Sequence, residues 1–316
     1  MFSARLWFAP DRSSLRRRRE EDSLSATAAE HADTRAHAED AALATILEVL
    51  RERTGTDFSR YRRATVRRRV LNRMICLGAN TFEHYLDMLL AEEGEALSLL
   101  QRITIKVSRF YRNSATFDLL RRDILPELAR TNGRRPLRIW CAGCGYGEEA
   151  YTLAMLLEEA GIPGTVDASD IDPGALSAGR RGWYPPSAFD ELPAALHTTF
   201  CEPSERGYRV CERVRARVSF WRHDVISDAP PPGEERFDLV SCRNVLIYLD
   251  AEVQHQVLRS IDAALAAGGV LCLGEAEWPS AALGQTLRTM NHKARLFRAL
   301  PMHSRAAAPP PFAGSA

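Results

Sequence analysis

No stretch of this 316-residue chain stays apolar for the length that a membrane span requires. The opening residues, MFSARLWFAPDRSSLRRRREED, lack the long apolar core and small-residue cleavage site of a secretory signal. Net charge is nearly absent: 42 Lys and Arg stand against 41 Asp and Glu, leaving +1. No polyelectrolyte partner is therefore implied for the chain as a whole. The 7 cysteines are odd in number and scattered, which excludes the paired framework of a small secreted protein. The 8 histidines show no metal-ligand spacing, and Cys201 and Cys211 lack matching ligands nearby, so no metal is expected. Together these absences point away from membrane insertion and toward a reducing cytoplasm. What is present is 45% hydrophobic and 26% charged residues, a globular composition able to bury a core without disulfides.

The pattern divides the chain. Residues 1–40 are rich in Ser, Ala, Arg and Glu and read as a disordered tail, as does 301–316 with its AAAPPPFAGSA end. From 41 to 130 the apolar spacing is helical. Leu43, Ile46, Leu47 and Leu50 share one face closed by Gly55; Val66, Val70, Met74 and Leu77 share another closed by Gly78. Thr81 caps a third helix, and SATFDLLRRDILPELA completes a small all-α domain. From 131 to 300 strand and helix alternate, beginning with LRIWCAG and the helix EEAYTLAMLLEEAG, which predicts a doubly wound α/β domain. The connection between its second and third strands is too long for one crossover. The alternation in GYRVCERVRARVSF suggests an inserted antiparallel β-subdomain at about 183–220.

The first strand runs into IWCAGCGYGEE, residues 139–149, where two readings compete. Trp140-Cys141-Ala142-Gly143-Cys144 resembles a redox pair, but a reactive thiol belongs at a helix N-terminus with a lowered pKa. Here Cys141 ends a strand and the nearby Glu148 and Glu149 oppose a thiolate, so packing roles are expected for both cysteines. The glycines Gly143, Gly145 and Gly147 instead allow a ligand close approach to backbone. Asp170 follows 23 residues after Gly147, at the end of strand two, where a carboxylate can bind two ribose hydroxyls. Asp224 and Asn244 end strands three and four, and all these ends fall on the carboxyl edge of the sheet. Two acids at the start of the helix repel a pyrophosphate and attract a sulfonium with an α-amino group, favouring S-adenosylmethionine over a dinucleotide. The competing reading makes them ordinary first-turn acids.

The segments GYGEEAYTLAM, ASDIDPGALSAGRRGWY, FDLVSCRNVLIYLD and GVLCLGEAE, with ITIKVSRFYRNSATFDLL ahead of them, resemble the CheR family of chemotaxis receptor glutamate methyltransferases. The likeness runs from about 41 to 300 in one order. It implies an all-α N-terminal domain followed by a class I S-adenosylmethionine-dependent methyltransferase domain, Rossmann-like, with a small inserted antiparallel β-subdomain. It implies a protein-glutamate O-methyltransferase that yields S-adenosylhomocysteine. Carried over by position, cofactor contacts would come from Ser108, Arg112, Glu148, Asp170, Asp224, Val225, Arg243 and Asn244, with Gly143 and Gly145 in the loop. Tyr248 and Arg112 would serve at the reaction centre. The chain departs from the family pattern in five places, one of them Ala150 where a Pro is usual. Lys106 stands where Asn is common, and SRFYR replaces the usual Thr-x-Phe-Phe-Arg. Gly145-Tyr146 replaces Ser-Thr, and Gly274-Glu275-Ala276-Glu277 replaces a Gly-His-Ser-Glu run.

The partner implied is the acidic helical cytoplasmic region of a methyl-accepting chemoreceptor. A basic helix at 60–73, with Arg60, Arg62, Arg63, Arg67, Arg68, Arg69 and Arg73, suits such a surface. A solvated helix face is the bland alternative. Nucleic acid is the rival partner, disfavoured by sparse aromatics and near-neutral charge. In some family members the inserted subdomain tethers a receptor tail; the residues here leave that open. A monomer is expected. Two further readings stay open on the residues alone: a regulatory module that binds the cofactor without turnover, and a methyltransferase for RNA or a small molecule.

Overall fold

A computed structural model describes residues 34, 36–104, 106–133, 135–229 and 236–301. Most of both expected tails lies outside these residues. Helix α1, residues 36–54, starts inside the first of them. The chain forms two compact units, one from residues up to 59 and 70–96, the other from 60–69 and 97 onward.

The first unit holds α1, the later turns of α2 (Arg63–Leu77) and α3 (Phe82–Ala91). The anticipated apolar faces are buried: Leu43, Ile46 and Leu50 in α1, Val70 and Met74 in α2. Gly55 and Gly78 end their helices with φ of 67° and 72°, and Thr81 caps α3 by accepting from His84 N–H. Arg73 is not a surface charge. Its guanidinium grips Glu95 (Nε to Oε1 2.9 Å, Nη2 to Oε2 2.5 Å), and Tyr85 Oη donates to the same carboxylate at 2.6 Å. A buried carboxylate with three charge-assisted or hydroxyl partners is a structural anchor.

The second unit is built on a seven-stranded sheet in the order β6-β2-β1-β7-β8-β10-β9. Here β1 is Leu137–Ala142, β2 Gly164–Asp170, β6 Val218–Arg222, β7 Phe237–Cys242, β8 Leu265–Leu273, β9 Leu287–Asn291 and β10 Leu296–Ala299. The first five in that order run parallel, and β10 and β9 add an antiparallel edge. Strands β1 and β7 are buried along nearly their whole length because both of their faces are covered. The order reverses at β1, so its carboxyl end opens a crevice. Helices α4 (Glu95–Ile103), α5 (Ser114–Leu119), α6 (Leu125–Thr131), α7 (Glu148–Glu159) and α8 (Pro173–Arg181) precede or follow these strands. A three-stranded antiparallel sheet, β3 (Trp183–Tyr184), β5 (Gly207–Val210) and β4 (Cys201–Ser204), is inserted as anticipated.

Two sequence-based boundaries need correction, and one strand pair is new. The expected helical domain ending at 130 is too long. Phe117, Leu120, Ile124 and Leu128 pack in one buried cluster with Leu137, Ile139 and Leu153, so α5 and α6 belong to the sheet-bearing unit. The insert does not reach 220, since Val218–Arg222 pairs in parallel with β2. The β9–β10 pair was not anticipated; its short strands, RTM and LFR in their centres, carry too little alternation to stand out. Among the described residues no helix is long and apolar enough to cross a membrane.

Candidate functional site

The carboxyl ends of β1, β2, β6 and β7 face one cleft, whose empty space of ≈ 1170 Å³ includes its open mouth. The glycine turn after β1 is shaped by its backbone. Gly143, Gly145 and Gly147 have φ of 74°, 56° and 97°, values that L side chains rarely adopt. A Cβ on Gly143 would meet Val245 Cγ2 at 2.4 Å, and one on Gly147 would meet Phe220 at 2.8 Å. The turn is pinned to β2: Gly143 N–H and Cys144 N–H donate to Ser169 O at 2.8 Å, and Gly145 N–H donates to Asp170 Oδ2 at 2.8 Å.

Of the anticipated residues, Ser108, Arg112, Gly143, Gly145 and Asp170 line this cleft. So do Val225, Arg243, Asn244 and Tyr248. Glu148 and Asp224 do not line it. Asp224 caps its own turn, its Oδ1 accepting from Ile226 N–H at 2.9 Å. Arg243 reaches the cleft, and both Nη atoms of its guanidinium bond to the protein while its buried Nε has no hydrogen-bond partner. Nη1 donates to Glu149 Oε2 (2.8 Å) and Nη2 to Asn113 Oδ1 (2.7 Å) and Arg112 O (3.1 Å). Glu149 also accepts from Ser241 Oγ at 2.6 Å. This network ties β7 to α7 and to the Arg112 loop. Arg112 sits between Tyr111 and Asn113, both left-handed at φ 61° and 66°. Tyr111 N–H donates to Thr152 Oγ1 (3.1 Å) and Asn113 N–H to Glu191 Oε2 (3.0 Å), which holds the strained pair in place.

Sequence reasoning missed several residues. Tyr61 and Thr65 line the cleft from the start of α2, and Tyr61 bridges to Leu249. No spacing rule joins positions that far apart. His223 and Ile247 also line it. Glu277 was seen only as the end of a variant motif, yet its carboxylate organises the Asn244–Tyr248 loop. Oε2 accepts from Gly274 N–H (2.7 Å) and Asn244 N–H (2.9 Å); Oε1 accepts from Leu246 N–H (2.7 Å) and, more weakly, Ile247 N–H (3.4 Å).

Electrostatics settle the cysteine question. Cys141 and Cys144 are buried free thiols, and burial together with Glu149 or Asp170 pushes both well above the usual thiol range. They are packing residues of the loop floor. Burial raises Glu148 to about 7, opposed by a hydrogen bond from the Ser108 side chain. Its Oε2 has no partner. A carboxyl whose folded pKa lies above its ordinary value of about 4.3 contributes stability below that value. The contribution is lost as pH rises toward 7. Urea unfolding of the ligand-free protein should therefore show Glu148→Gln more stable than wild type at mildly alkaline pH, by on the order of 2–3 kcal/mol. The gap should close on acidification. Parallel pH profiles for the two proteins would contradict the assignment.

The donor set fits S-adenosylmethionine. A buried carboxylate ends β2 where a diol would lie. Ile171, Val225 and Val245 offer apolar wall for a purine. Glu148 Oε2, buried and unpartnered, stands at the start of α7 directly after the glycine turn. Asp170, the glycine turn and Ser108 would hold the group, which supplies an electrophilic methyl. Among the described residues no group of three or more His, Cys, Asp and Glu could hold a metal ion.

Comparison with known proteins agrees with this geometry. Residues 106–294 match the family model "CheR methyltransferase, SAM binding domain", and 41–104 match "CheR methyltransferase, all-alpha domain". The chain is 34% identical to a chemotaxis protein methyltransferase of Listeria monocytogenes, over 72% of this chain and 87% of that protein. It is 32% identical to chemotaxis protein methyltransferase 2 of Pseudomonas aeruginosa, over 73% and 84%. A probable biofilm formation methyltransferase, WspC, of Pseudomonas putida is 32% identical over 72% of this chain and 54% of its own length. With both domain models matched in order and a cleft whose donors suit the cofactor, the chain belongs to the CheR methyltransferase family and takes S-adenosylmethionine as its cofactor.

Proposed function

We propose that this protein is a protein-glutamate O-methyltransferase acting on the cytoplasmic region of chemoreceptors in chemotaxis. The observation that carries the reading is the convergence of Arg112 and Tyr248 on the cleft that contains Asp170 and the glycine turn. The names of the Listeria and Pseudomonas relatives support the chemotaxis setting. A glutamate side chain is ionised at neutral pH, with a reference pKa of about 4.3, so its oxygen attacks without a general base. What the protein must supply is alignment and exclusion of water. Arg112, whose Nη1 donates to Val107 O at 2.6 Å, keeps other N–H groups to orient the incoming carboxylate. Tyr248, at the end of the 3₁₀ turn Leu246–Tyr248, donates its hydroxyl to the carboxylate oxygen or near the methyl. Bound S-adenosylmethionine would supply an electrophilic methyl, and Arg112 and Tyr248 would hold the acceptor carboxylate for it.

The receptor is placed on the Arg-rich stretch 60–73, where Arg62, Arg63 and Arg68 are exposed. Arg62 is partly occupied, its Nε donating to Leu249 O at 3.0 Å. The test is transfer of radiolabelled methyl from S-adenosylmethionine to receptor-containing membranes. Base-labile label on protein is expected; label in RNA, or binding without transfer to any receptor, would overturn the reading. In the same assay Tyr248→Phe should lower kcat roughly 10-fold, the worth of one hydrogen bond at about 1.4 kcal/mol. S-adenosylhomocysteine affinity should stay unchanged. A wild-type rate would remove Tyr248 from the reaction centre.

A further inference from the structure

Lys106 stands where the family pattern has asparagine, and its ammonium is fully spent inside the protein. Nζ donates to Asp172 Oδ2 (2.5 Å), Thr104 Oγ1 (2.7 Å) and Thr104 O (2.9 Å). An ammonium has three N–H bonds, so none remains for a ligand. The pair is buried, the Lys106 and Asp172 side chains being 6% and 2% exposed. The lysine stem passes beside the glycine turn, 3.7 Å from where a Cβ of Gly145 would stand.

Asp172 and Asp170 lie two positions apart at the end of β2, and both are buried. Asp172 Oδ1 caps α8 by accepting from Gly174 N–H (2.7 Å) and Ala175 N–H (3.2 Å). Asp170 Oδ1 accepts from Asp172 N–H at 3.0 Å while its Oδ2 holds Gly145. Neighbouring carboxylates in a low-dielectric site resist joint ionisation unless a cation is close. The groups acting on Asp170 are Lys106 and Asp172, beside the Cys144 thiol and Tyr146 phenol of the glycine turn. From β6, the backbone N–H of His223 donates to Asp170 O.

We propose that Lys106 is a positioning residue for the cofactor: it neutralises Asp172 so that Asp170 stays charged and aimed, and it bridges the end of α4 to the α8 cap, fixing the segment that carries Ser108. The proposal rests on the assignment of Asp170 to the ribose hydroxyls. Burial raises Asp170 above its ordinary value and the Lys106 charge opposes that rise. Without Lys106, Asp170 takes up its proton at higher pH, so ligand binding should fail earlier on acidification.

The experiment is calorimetric titration of S-adenosylhomocysteine into the full chain, from mildly acidic to mildly alkaline pH. Lys106→Met should bind more weakly than wild type, with the deficit widening as pH falls. Lys106→Arg should retain most of the affinity. The double variant Lys106→Met/Asp172→Asn, with both charges removed, should recover the wild-type pH profile. It carries the test if the single variant does not fold. A folded Lys106→Met with wild-type affinity and profile overturns the proposal. So does a pH-independent loss that Lys106→Arg does not rescue, or a double variant that binds at no pH. Unchanged affinity in Asp170→Ala would instead overturn the ribose assignment beneath it.

Discussion

Asp170→Ala is expected to weaken S-adenosylhomocysteine binding about 100-fold or more. Two hydrogen bonds from ribose hydroxyls to a carboxylate are worth roughly 1.5–3 kcal/mol each, and about 1.4 kcal/mol is tenfold in affinity. The substitution also removes the acceptor for Gly145 N–H and for Asp172 N–H, so the glycine turn loses its tie to β2 at the point where the ligand must fit. Calorimetry at neutral pH is the direct check. A dissociation constant equal to that of wild type would show that the ribose lies elsewhere. Asp170→Asn separates the two contributions: the amide oxygen can still hold Gly145, so an affinity loss in that variant reports on the charge.

The second large effect is expected at Glu277, whose carboxylate holds the loop that carries Tyr248. Both of its oxygens accept backbone N–H bonds, Oε2 from Gly274 and Asn244 and Oε1 from Leu246 and Ile247. Glu277→Gln is isosteric, yet whichever way the amide turns, its NH₂ group faces N–H donors. At least one good hydrogen bond to a charged acceptor is lost and a buried donor is left unpaired. The sum is on the order of 3 kcal/mol. Thermal denaturation should show a Tm lower by about 6–10 °C. Activity should fall even at temperatures where the variant is folded, because Asn244, at φ 60°, is held in the left-handed region by this carboxylate. Gly274 is part of the same device, since a Cβ there would sit 2.7 Å from Glu277 Oε2. A melting curve that superimposes on wild type would refute this role.

Much of the site was legible from sequence because its parts are local. A strand that stops at glycines, an acid at the next strand end and a helix opening on two glutamates are each set within a few residues. The sheet then brings them together by a general rule of parallel topology. The resemblance supplied Arg112 and Tyr248 by position. The structure adds partners that the sequence does not show. Asp224 reads as a strand-end acid, and its Oδ1 accepts from Ile226 N–H in its own turn. Arg243 reads as a cofactor contact, and its Nη atoms also bond Glu149 and Asn113. Seven arginines in a row of fourteen residues read as one docking face. Arg73, however, is half-buried and paired with the buried Glu95, and Arg62 is hydrogen-bonded to Leu249 O.

The sequence alone determined the fold class, the order of the elements through β8 and the cofactor loop. These follow from periodicity, glycine conformations and the signs of neighbouring charges, all properties of short range along the chain. Only the tertiary structure decided which polar groups remain available to a ligand. That question depends on partners tens of residues away: Lys106 with Asp172, Glu149 with Arg243, Glu277 with Asn244. A buried polar atom must find a hydrogen-bond partner, and which one it finds is set by packing in three dimensions.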